Sequence, residues 1–229
     1  MKILVLGKGK TGGLVAEIAR ERGHEVRVIG SAENADGAAV SASALRDVDV
    51  VIEFTTPHAV IANVEACLRA KKDVVIGTTG WYGEIARVQA LAETSGAGCV
   101  FGANFSVGVN LFFEIARASA AALNLGYTGT MVERHHSQKK DAPSGTAVAI
   151  NKVLREASGR DLEIESVREG NIVGDHELRF ESANDVIELA HSAKSRRGFA
   201  EGAVKAAEWV RGKKGFFDFR DVWRELGAG

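Results

Sequence analysis

Hydrophobic residues in the first half of the chain fall in short continuous runs, separated by segments of helical periodicity. The strands predicted from these runs are Ile3–Leu6, Val26–Ile29, Val48–Phe54, Val74–Ile76 and Cys99–Phe101. Helices are predicted near residues 12–21, 58–70 and 85–93. Continuous apolar strands that alternate with amphipathic helices are typical of a parallel sheet covered on both faces. The first half is therefore predicted to be a doubly wound α/β domain.

The pattern changes after Gly108. A helix is predicted over Leu111–Leu123, and another follows Thr146. Three later runs alternate apolar and polar residues, namely Leu162–Val167, His176–Glu181 and Val186–Leu189. Period-two alternation predicts a sheet with one buried face and one exposed face. The second half is therefore predicted to contain an α+β domain.

The boundary between these domains is predicted where the pattern changes. Residues 1–106 form the first domain and residues 107–204 the second, and helices at about residues 205–229 return to the first. No internal repeat and no low-complexity segment is evident in the sequence. The chain is thus predicted to be a two-domain protein.

A glycine-rich loop joins the first predicted strand to the first helix. Gly7, Gly9 and Gly12 have the G-x-G-x-x-G spacing, which brings backbone amides against a pyrophosphate at a helix start. The predicted dinucleotide contacts in this loop are Gly7, Lys8, Gly9, Lys10, Thr11 and Gly12. The first domain is accordingly predicted to be Rossmann-like, a purely structural glycine turn being the alternative.

The coenzyme is not decided by the sequence. An acid at the end of the second strand binds a ribose 2′-hydroxyl, whereas a basic group suits a 2′-phosphate. Ile29 is followed by Gly30-Ser31-Ala32-Glu33, so Glu33 could reach the ribose, while Lys8 and Lys10 could favour an extra phosphate. NADPH and NADH both remain open.

Two further loops follow the fourth and fifth predicted strands. The residues predicted to contact the cofactor there are Gly77, Thr78, Thr79, Gly102, Ala103, Asn104 and Phe105. Ligands bind outside the carboxyl ends of the strands in open α/β sheets, and Thr or Asn can hydrogen-bond an amide or a ribose. Either loop alone could be a simple turn.

The segment from Glu133 to Thr146 concentrates candidate chemistry. His135 and His136 can exchange protons near neutral pH, and Lys139 can attract an anion or deliver a proton. Residues 143–146 read as a turn and cap before a helix, whose first amides favour a carboxylate or phosphate. Adjacent residues of a strand point to opposite faces, so the chain is predicted to leave the strand between the two histidines. A polar surface loop is the alternative for either histidine alone.

Composition narrows the class of protein further. The 229 residues carry a formal net charge of −1, with 45% hydrophobic and 26% charged residues, so no nucleic-acid or membrane partner is predicted. Cys67 and Cys99 lack metal-ligand spacing, and no metal site is predicted. The chain shows no signal peptide, so a cytoplasmic protein with buried thiols is expected.

These residues give the chain a specific resemblance. It resembles the 4-hydroxy-tetrahydrodipicolinate reductase (dihydrodipicolinate reductase) family of lysine and diaminopimelate biosynthesis over nearly its whole length. The matching segments are Glu133-x-His135-His136-x-x-Lys139-x-Asp141-Ala-Pro-Ser-Gly-Thr146, Glu53-Phe-Thr-x-Pro57, Gly77-Thr-Thr-Gly80, Asn104-Phe-Ser-Val-Gly-Val-Asn110, Gly174-Asp-His176 and Phe199-Ala-x-Gly-Ala-Val204.

The resemblance implies roles for individual residues. It implies that His135 is the catalytic acid/base and Lys139 the proton donor, while His136, Gly145 and Thr146 hold the carboxylates of a small dicarboxylate substrate. It also implies an NADPH- or NADH-dependent reduction, with the second domain binding substrate and forming a homotetramer through its sheet.

Departures and rival functions remain. Family members often carry Arg-Met in the glycine loop where this chain has Lys10-Thr11, and the stretch between Ile29 and Val48 is short. One rival is another two-domain NAD(P)-dependent imine or amino-acid oxidoreductase, and a second is a non-catalytic dinucleotide-sensing module. A zinc enzyme is least favoured, since adjacent histidines near a lysine are not a familiar ligand set.

Overall fold

The computed structural model describes residues 1–34, 37 and 39–227, and the chain forms two compact units. The first unit comprises Met1–Val107 and Arg197–Gly229, and the second comprises Gly108–Arg196. The second boundary therefore precedes the predicted position near residue 205, because the last long helix begins at Arg197 and buries its apolar face in the first unit's core. Residues 228–229 of the predicted C-terminal return lie outside the described residues.

Strands and helices are numbered in chain order. The strands are β1 (Lys2–Leu6), β2 (Glu25–Ile29), β3 (Val50–Glu53), β4 (Asp73–Ile76), β5 (Gly98–Phe101), β6 (Thr128–His135), β7 (Glu163–Arg168), β8 (Asp175–Glu181), β9 (Val186–Ser192) and β10 (Gly215–Asp218). The helices are α1 (Lys10–Glu21), α2 (Ala42–Leu45), α3 (Val60–Arg69), α4 (Ile85–Ser95), α5 (Val107–Ser119), α6 (Ala121–Asn124), α7 (Gly145–Ser158), α8 (Arg197–Val210) and α9 (Phe219–Val222).

The first unit contains a parallel sheet in the order β10-β5-β4-β3-β1-β2. Val50, Val51 and Ile52 of β3 are all fully buried, which is the continuous burial expected of a strand covered on both faces. Strand β10 was not predicted, although Phe216 and Phe217 have the aromatic character that strands favour. The predicted Rossmann-like α/β fold class is confirmed.

The second unit contains a mixed sheet in the order β7-β6-β8-β9. Helix α7 connects the parallel pair β6 and β7, while β8 and β9 pair antiparallel with their neighbours. Along β8, His176, Leu178 and Phe180 are buried and the residues between them are not, as the period-two pattern predicts. This face packs against α7, whose Ile150 and Leu154 are in the same core.

Two local details differ from the sequence prediction. The helix expected over residues 111–123 starts earlier, as α5, and α6 follows it as a separate short helix. The start of α5 comes after a turn in which Asn104 Oδ1 accepts a hydrogen bond from the Ser106 amide at 2.9 Å.

Within the described residues, none of the helices has the length and apolar character that a membrane crossing requires.

Candidate active site

The end of β6 places two ionisable side chains on one face of the second sheet. Glu133 and His135 are two residues apart in the strand, so both point to the same side. Glu133 is fully buried and His135 is 8% exposed. Their side chains meet at 2.5 Å between Glu133 Oε2 and His135 Nδ1, so the imidazole donates Nδ1–H to the carboxylate and turns Nε2 away from it.

Glu133 is held by groups from three parts of the unit. Its Oε1 accepts a hydrogen bond from Arg168 Nη2 at 2.6 Å and another from the Ser144 amide at 3.2 Å. The same Arg168 Nη2 donates to the Asp141 carbonyl at 2.6 Å. The guanidinium therefore ties the end of β7 to β6 and to the loop before α7, and it supplies the positive charge that a buried carboxylate needs.

The two partners have shifted pKa values with opposing causes. Burial by itself raises the pKa of Glu133, but hydrogen bonds, chiefly from Arg168, outweigh it and lower the pKa to about 2. Burial, together with the charges of Lys139 and Arg168, lowers the pKa of His135, although the Glu133 hydrogen bond and charge act to raise it. The pair at neutral pH is thus a carboxylate beside a neutral imidazole.

His136 lies just beyond the strand, as the alternation of strand side chains predicted. Strand β6 ends at His135, and a turn follows in which the Lys139 amide donates to the His136 carbonyl at 3.0 Å. His136 is half-buried. The turn brings Lys139 back beside the strand end, so the coulombic influence of its ammonium reaches His135 and lowers the pKa of that imidazole.

Lys139 is paired with Asp141 in the same loop. Its Nζ lies 2.8 Å from each carboxylate oxygen, and the Lys139 side chain is 21% exposed whereas that of Asp141 is 59% exposed. The ammonium lowers the pKa of Asp141. Exposed ion pairs of this kind contribute little to stability, so an incoming anion can compete with Asp141 for the ammonium.

The loop leads into α7 through a capping serine. Ser144 is 2% exposed, and its Oγ accepts a hydrogen bond from the Ala147 amide at 3.1 Å, which is an N-cap. Gly145 and Thr146 form the first turn after this cap, Gly145 exposed and Thr146 half-exposed. A helix start of this form presents backbone amides and a positive dipole end to an anion.

The contacts of three residues at this site were not predicted from the sequence, although Ser144 lies in the predicted turn and cap and His176 in one of the matching segments. Arg168 and Ser144 hold Glu133, and His176 lies with its ring centroid 5.4 Å from that of His135. His176 stands at a buried position of an alternating strand, where a polar residue is unusual, and that signal could have found it. Arg168 carries no such signal, because its role depends on the pairing of β6 with β7.

A glycine keeps space open beside His135 Nε2. A Cβ added at Gly174 would lie 3.0 Å from His135 Nε2, closer than nearly all real Cβ contacts. Gly174 precedes β8, in the Gly-Asp-His segment of the sequence. Any larger residue there would displace the imidazole.

The glycine loop of the first unit has the geometry that a dinucleotide needs. Gly7 has a positive φ of 109°, and a Cβ there would lie 2.0 Å from the Phe54 carbonyl oxygen. A Cβ at Gly12 would lie 2.2 Å from the Gly7 carbonyl oxygen, whereas one at Gly9 would meet nothing within 4 Å. Gly7 and Gly12 are therefore fixed by the protein's own packing, and Gly9 leaves the start of α1 open to a ligand.

A cavity of about 320 Å³ lies at this helix start, at the carboxyl ends of β1, β3 and β4. Its lining residues are Gly9, Lys10, Thr11, Gly12, Phe54, Thr55, Pro57, Gly77, Thr78 and Thr79. Two of the three loops predicted from the sequence thus share one cavity. Thr78 Oγ1 accepts a hydrogen bond from the Thr55 amide at 2.7 Å, which joins the two walls.

The other predicted cofactor residues lie outside that lining. Lys8 Nζ forms an ion pair at 2.7 Å with Glu33, whose carboxylate also accepts from the Gly30 amide at 2.8 Å. In the third loop, Gly102 and Phe105 are buried and Phe105 packs against Phe219, with ring centroids 4.6 Å apart. Ala103 is exposed and Asn104 half-exposed.

Comparison with known proteins gives consistent results across the chain. The family description "Dihydrodipicolinate reductase, N-terminus" matches residues 1–105 and "Dihydrodipicolinate reductase, C-terminus" matches residues 108–223. The chain is 35% identical to 4-hydroxy-tetrahydrodipicolinate reductase of Christiangramia forsetii, over 99% of each chain. It is 41% identical to that of Thiobacillus denitrificans, over 79% of this chain and 75% of the relative.

A solved structure gives the same result for the fold. Dipicolinate-bound dihydrodipicolinate reductase from Paenisporosarcina sp. TG-14 has a TM-score of 0.79 at 22% identity, covering 97% of this chain and 99% of that one. Together, the two family matches span both units, and the sequence relatives cover most of the chain. The chain therefore belongs to the dihydrodipicolinate reductase family.

Proposed function

We propose that this protein catalyses the NAD(P)H-dependent reduction of 4-hydroxy-tetrahydrodipicolinate to tetrahydrodipicolinate in lysine and diaminopimelate biosynthesis. The observation that carries the proposal is the buried Glu133–His135 pair beside Lys139 and the start of α7, in a chain of this family. The reaction replaces a hydroxyl by hydrogen, so it takes up a hydride and a proton and releases water.

The first unit fits a nicotinamide dinucleotide. Gly7, Gly9 and Gly12, with the amides of Lys10 and Thr11, would hold the pyrophosphate at the start of α1, and the Gly77–Thr79 loop would line the same cavity. When bound, the reduced nicotinamide supplies the hydride. Lys8, Ala103 and Asn104, with Gly102 and Phe105 behind them, are proposed to complete the contacts, and both NADPH and NADH are proposed as coenzymes.

The second unit is proposed to bind the dicarboxylate substrate. The first-turn amides at Gly145 and Thr146 and the side chain of His136 would hold its carboxylates. Lys139 would leave Asp141 and engage the anionic substrate. Because binding replaces one ion-pair partner by another, the ammonium is never left without an anion.

Lys139 and His135 are proposed to carry out the proton transfers of the reaction. Burial leaves the His135 imidazole neutral at neutral pH, so the Lys139 ammonium is the group that holds a proton to donate. His135 Nε2, with Nδ1–H fixed by Glu133, is oriented to take up a proton from solvent and pass it to Lys139, which replaces the one proton that the reaction consumes. Glu133 thereby stabilises the imidazolium that forms.

The test is a coupled assay that follows oxidation of NADPH and of NADH with freshly generated substrate. Lys139→Ala is expected to lower kcat by about 10²- to 10⁴-fold, the usual loss on removing a general acid, while the Kd for the dinucleotide stays unchanged. Lys140→Ala is the matched control, since Lys140 is adjacent and exposed. No turnover by the unsubstituted protein, or equal losses in kcat and dinucleotide affinity for Lys139→Ala, would contradict the proposal.

We further propose a cytoplasmic homotetramer assembled through the sheet of the second unit. Exposed apolar residues on that unit support an interface, among them Leu111 and Ile115 of α5 and Val186 and Ile187 of edge strand β9. The two buried, unpaired cysteines suit a reducing compartment. Light scattering coupled to size-exclusion chromatography measures the assembly, and a monomeric mass would contradict it.

A further inference from the structure

A row of three polar residues crosses the second sheet and includes Glu133; two of the three are buried and the third is half-buried. Glu133 of β6 is in register with His176 of β8, which is in register with His191 of β9. Partners in register share a face of the sheet, so all three side chains lie on the face that carries His135. His176 is 4% exposed, although apolar Leu178 and Phe180 occupy the equivalent positions further along β8. A buried imidazole among apolar neighbours costs free energy unless a polar partner fixes it.

His176 has one such partner, the capping serine of α7. His176 Nε2 lies 3.3 Å from Ser144 Oγ, which also accepts the Ala147 amide at 3.1 Å. An amide can only donate, so the Ser144 hydroxyl hydrogen remains for another acceptor. Among the described contacts of Ser144, only His176 Nε2 can take it.

The charge of His176 follows from the number of donors and acceptors that lack a partner in each of its protonation states. His176 Nδ1 is buried and has no partner among the described residues. With the proton on Nδ1, Ser144 donates to Nε2 and one donor lacks a partner. With the proton on Nε2 instead, both the hydroxyl hydrogen and the Nδ1 lone pair lack partners, and an imidazolium would add a buried charge. The neutral Nδ1–H form leaves the fewest groups unsatisfied.

The surroundings of His176 agree with a neutral ring. Glu133 and His135 face it from β6, His191 from β9 and Ser144 from the start of α7, and Lys139 adds a positive charge nearby. Burial, followed by the positive charges that His135 and His191 carry in acid, lowers the pKa of His176 to about 4. Of the charged groups, Glu133 is the one that would favour protonation, and it is already satisfied by Arg168 and His135.

We propose that His176 is a positioning residue, whose neutral imidazole fixes the Ser144 hydroxyl and with it the first turn of α7, where Gly145 and Thr146 lie. The part played by this turn in substrate binding rests on the proposed function. His176 itself touches no reacting atom. Its loss therefore changes how well the turn is held, and so the KM for substrate, more than it changes kcat or dinucleotide affinity.

Two amide substitutions separate hydrogen bonding from packing. Gln has the length to place its amide oxygen where His176 Nε2 lies, whereas Asn ends near the position of Nδ1 and cannot reach Ser144. His176→Asn is expected to raise the substrate KM by about tenfold, the equivalent of one hydrogen bond, and His176→Gln to restore it to within about threefold. The dinucleotide Kd is expected to be the same in both variants.

Two further variants, Ser144→Ala and the control His191→Phe, test whether His176 acts through Ser144. If His176 acts through Ser144, the double variant with His176→Asn raises KM no more than the stronger single change, since the two changes remove one link. His191→Phe is the matched control, because His191 lies in the same row with its ring centroid 6.4 Å from that of His176 and makes no described contact with Ser144. It is expected to leave KM unchanged.

A readout without substrate keeps this inference separate from the proposed function. Hydrogen exchange of the Ala147 amide, which Ser144 caps, is expected to be faster in His176→Asn than in the unsubstituted protein or in His176→Gln. This result in a protein without reductase activity would overturn the proposed function and support the positioning role. Equal exchange in all three proteins, additive KM effects with Ser144→Ala, or an equal KM increase in His191→Phe would overturn the positioning role.

Discussion

At the scale of single residues, Glu133 shows how a carboxylate can be both buried and ionised. Arg168, His135 and the Ser144 amide all donate hydrogen bonds to it, and side-chain hydrogen bonds led by that of Arg168 hold its pKa at about 2 despite burial. Because the folded pKa lies below the ordinary value of 4.5, the ionised group stabilises the fold above that pH. This contribution is lost as the pH falls from about 4.5 through about 2.

Glu133→Gln is therefore expected to remove about 3 kcal/mol of unfolding free energy at neutral pH, the equivalent of this pKa shift. The free energy of unfolding of the variant should also decrease less on acidification than that of the unsubstituted protein, because the amide does not titrate. Urea unfolding at neutral pH and at about pH 3 measures both effects. Exposed Glu163→Gln is the control, and an unchanged acid dependence in Glu133→Gln would contradict this account.

Glu53 in the first unit presents the opposite case. It is fully buried at the end of β3, and its Oε1 accepts hydrogen bonds from Thr55 Oγ1 and from Asn63 Nδ2, while Oε2 has no partner among the described residues. Burial raises its pKa more than the hydrogen bonds, led by that from Thr55, lower it. The folded protein therefore holds this proton to a higher pH than the unfolded chain does, and ionisation opposes folding.

As the pH rises above the ordinary pKa of glutamate, the free energy of unfolding of Glu53→Gln is expected to increase relative to that of the unsubstituted protein. The amide keeps an acceptor for Thr55 and Asn63 but has no proton to lose. Unfolding free energies at about pH 5 and about pH 8 test the sign, which is opposite to that for Glu133→Gln. A stability difference that stays constant between the two pH values would show that Glu53 does not titrate as described.

At the scale of elements, the junction of β1 and α1 separates two uses of glycine. Gly12 is required by contact with the Gly7 carbonyl, whereas Gly9, with φ −68°, has open space where its side chain would be. An alanine at Gly9 is therefore compatible with the fold, but it would add a methyl group to the lining of the cavity that we propose holds the dinucleotide. The same element thus contains one glycine needed for packing and one that we propose is needed for binding.

Gly9→Ala is expected to keep its unfolding free energy within about 0.5 kcal/mol and to raise the Kd for NAD(P)H by at least about tenfold. Gly12→Ala is expected to be strongly destabilised, because backbone would have to move. Gly13→Ala is the control, since its Cβ also meets nothing within 4 Å and Gly13 does not line the cavity. Calorimetric titration and thermal unfolding measure the two quantities, and unchanged affinity in Gly9→Ala would contradict the assignment.

At the scale of the whole molecule, the first unit is built from two distant segments. Helix α8 and strand β10 come from the end of the chain, and Ala203, Val204 and Val210 share a core with Val5 and Val100. The segment 1–107 alone exposes this part of its core. The lost burial is comparable with the whole stability of a domain of this size.

A fragment of residues 1–107 is therefore expected to remain unfolded, whereas 1–106 joined by a short Gly–Ser linker to 198–229 is expected to fold. A short linker is sufficient because the two ends are neighbours in the structure: a Cβ at Gly198 would lie 3.8 Å from Ser106 Oγ. Circular dichroism and cooperative thermal melting distinguish the two outcomes. A cooperative transition in the 1–107 fragment would show that the C-terminal segment is dispensable.

Much of the fold and of the candidate site could be predicted from local patterns in the sequence. The continuous runs of β3 and β4 indicated buried parallel strands, and the alternation in β8 indicated a sheet with one buried face. The spacing of the first glycines and the segment from Glu133 to Thr146 identified the candidate chemistry. Strand β10 was missed because its four residues show little periodicity, and its place at the sheet edge depends on pairing with β5.

The sequence by itself thus determined most of the strands and helices, which of their faces are buried and which residues carry ionisable groups, because these properties follow from local periodicity and side-chain chemistry. Only the tertiary structure decided that Arg168 and Ser144 hold Glu133, and that His176 meets Ser144. Those contacts depend on the register between strands far apart in the chain. Periodicity reports the face of a side chain and not its neighbour across the sheet.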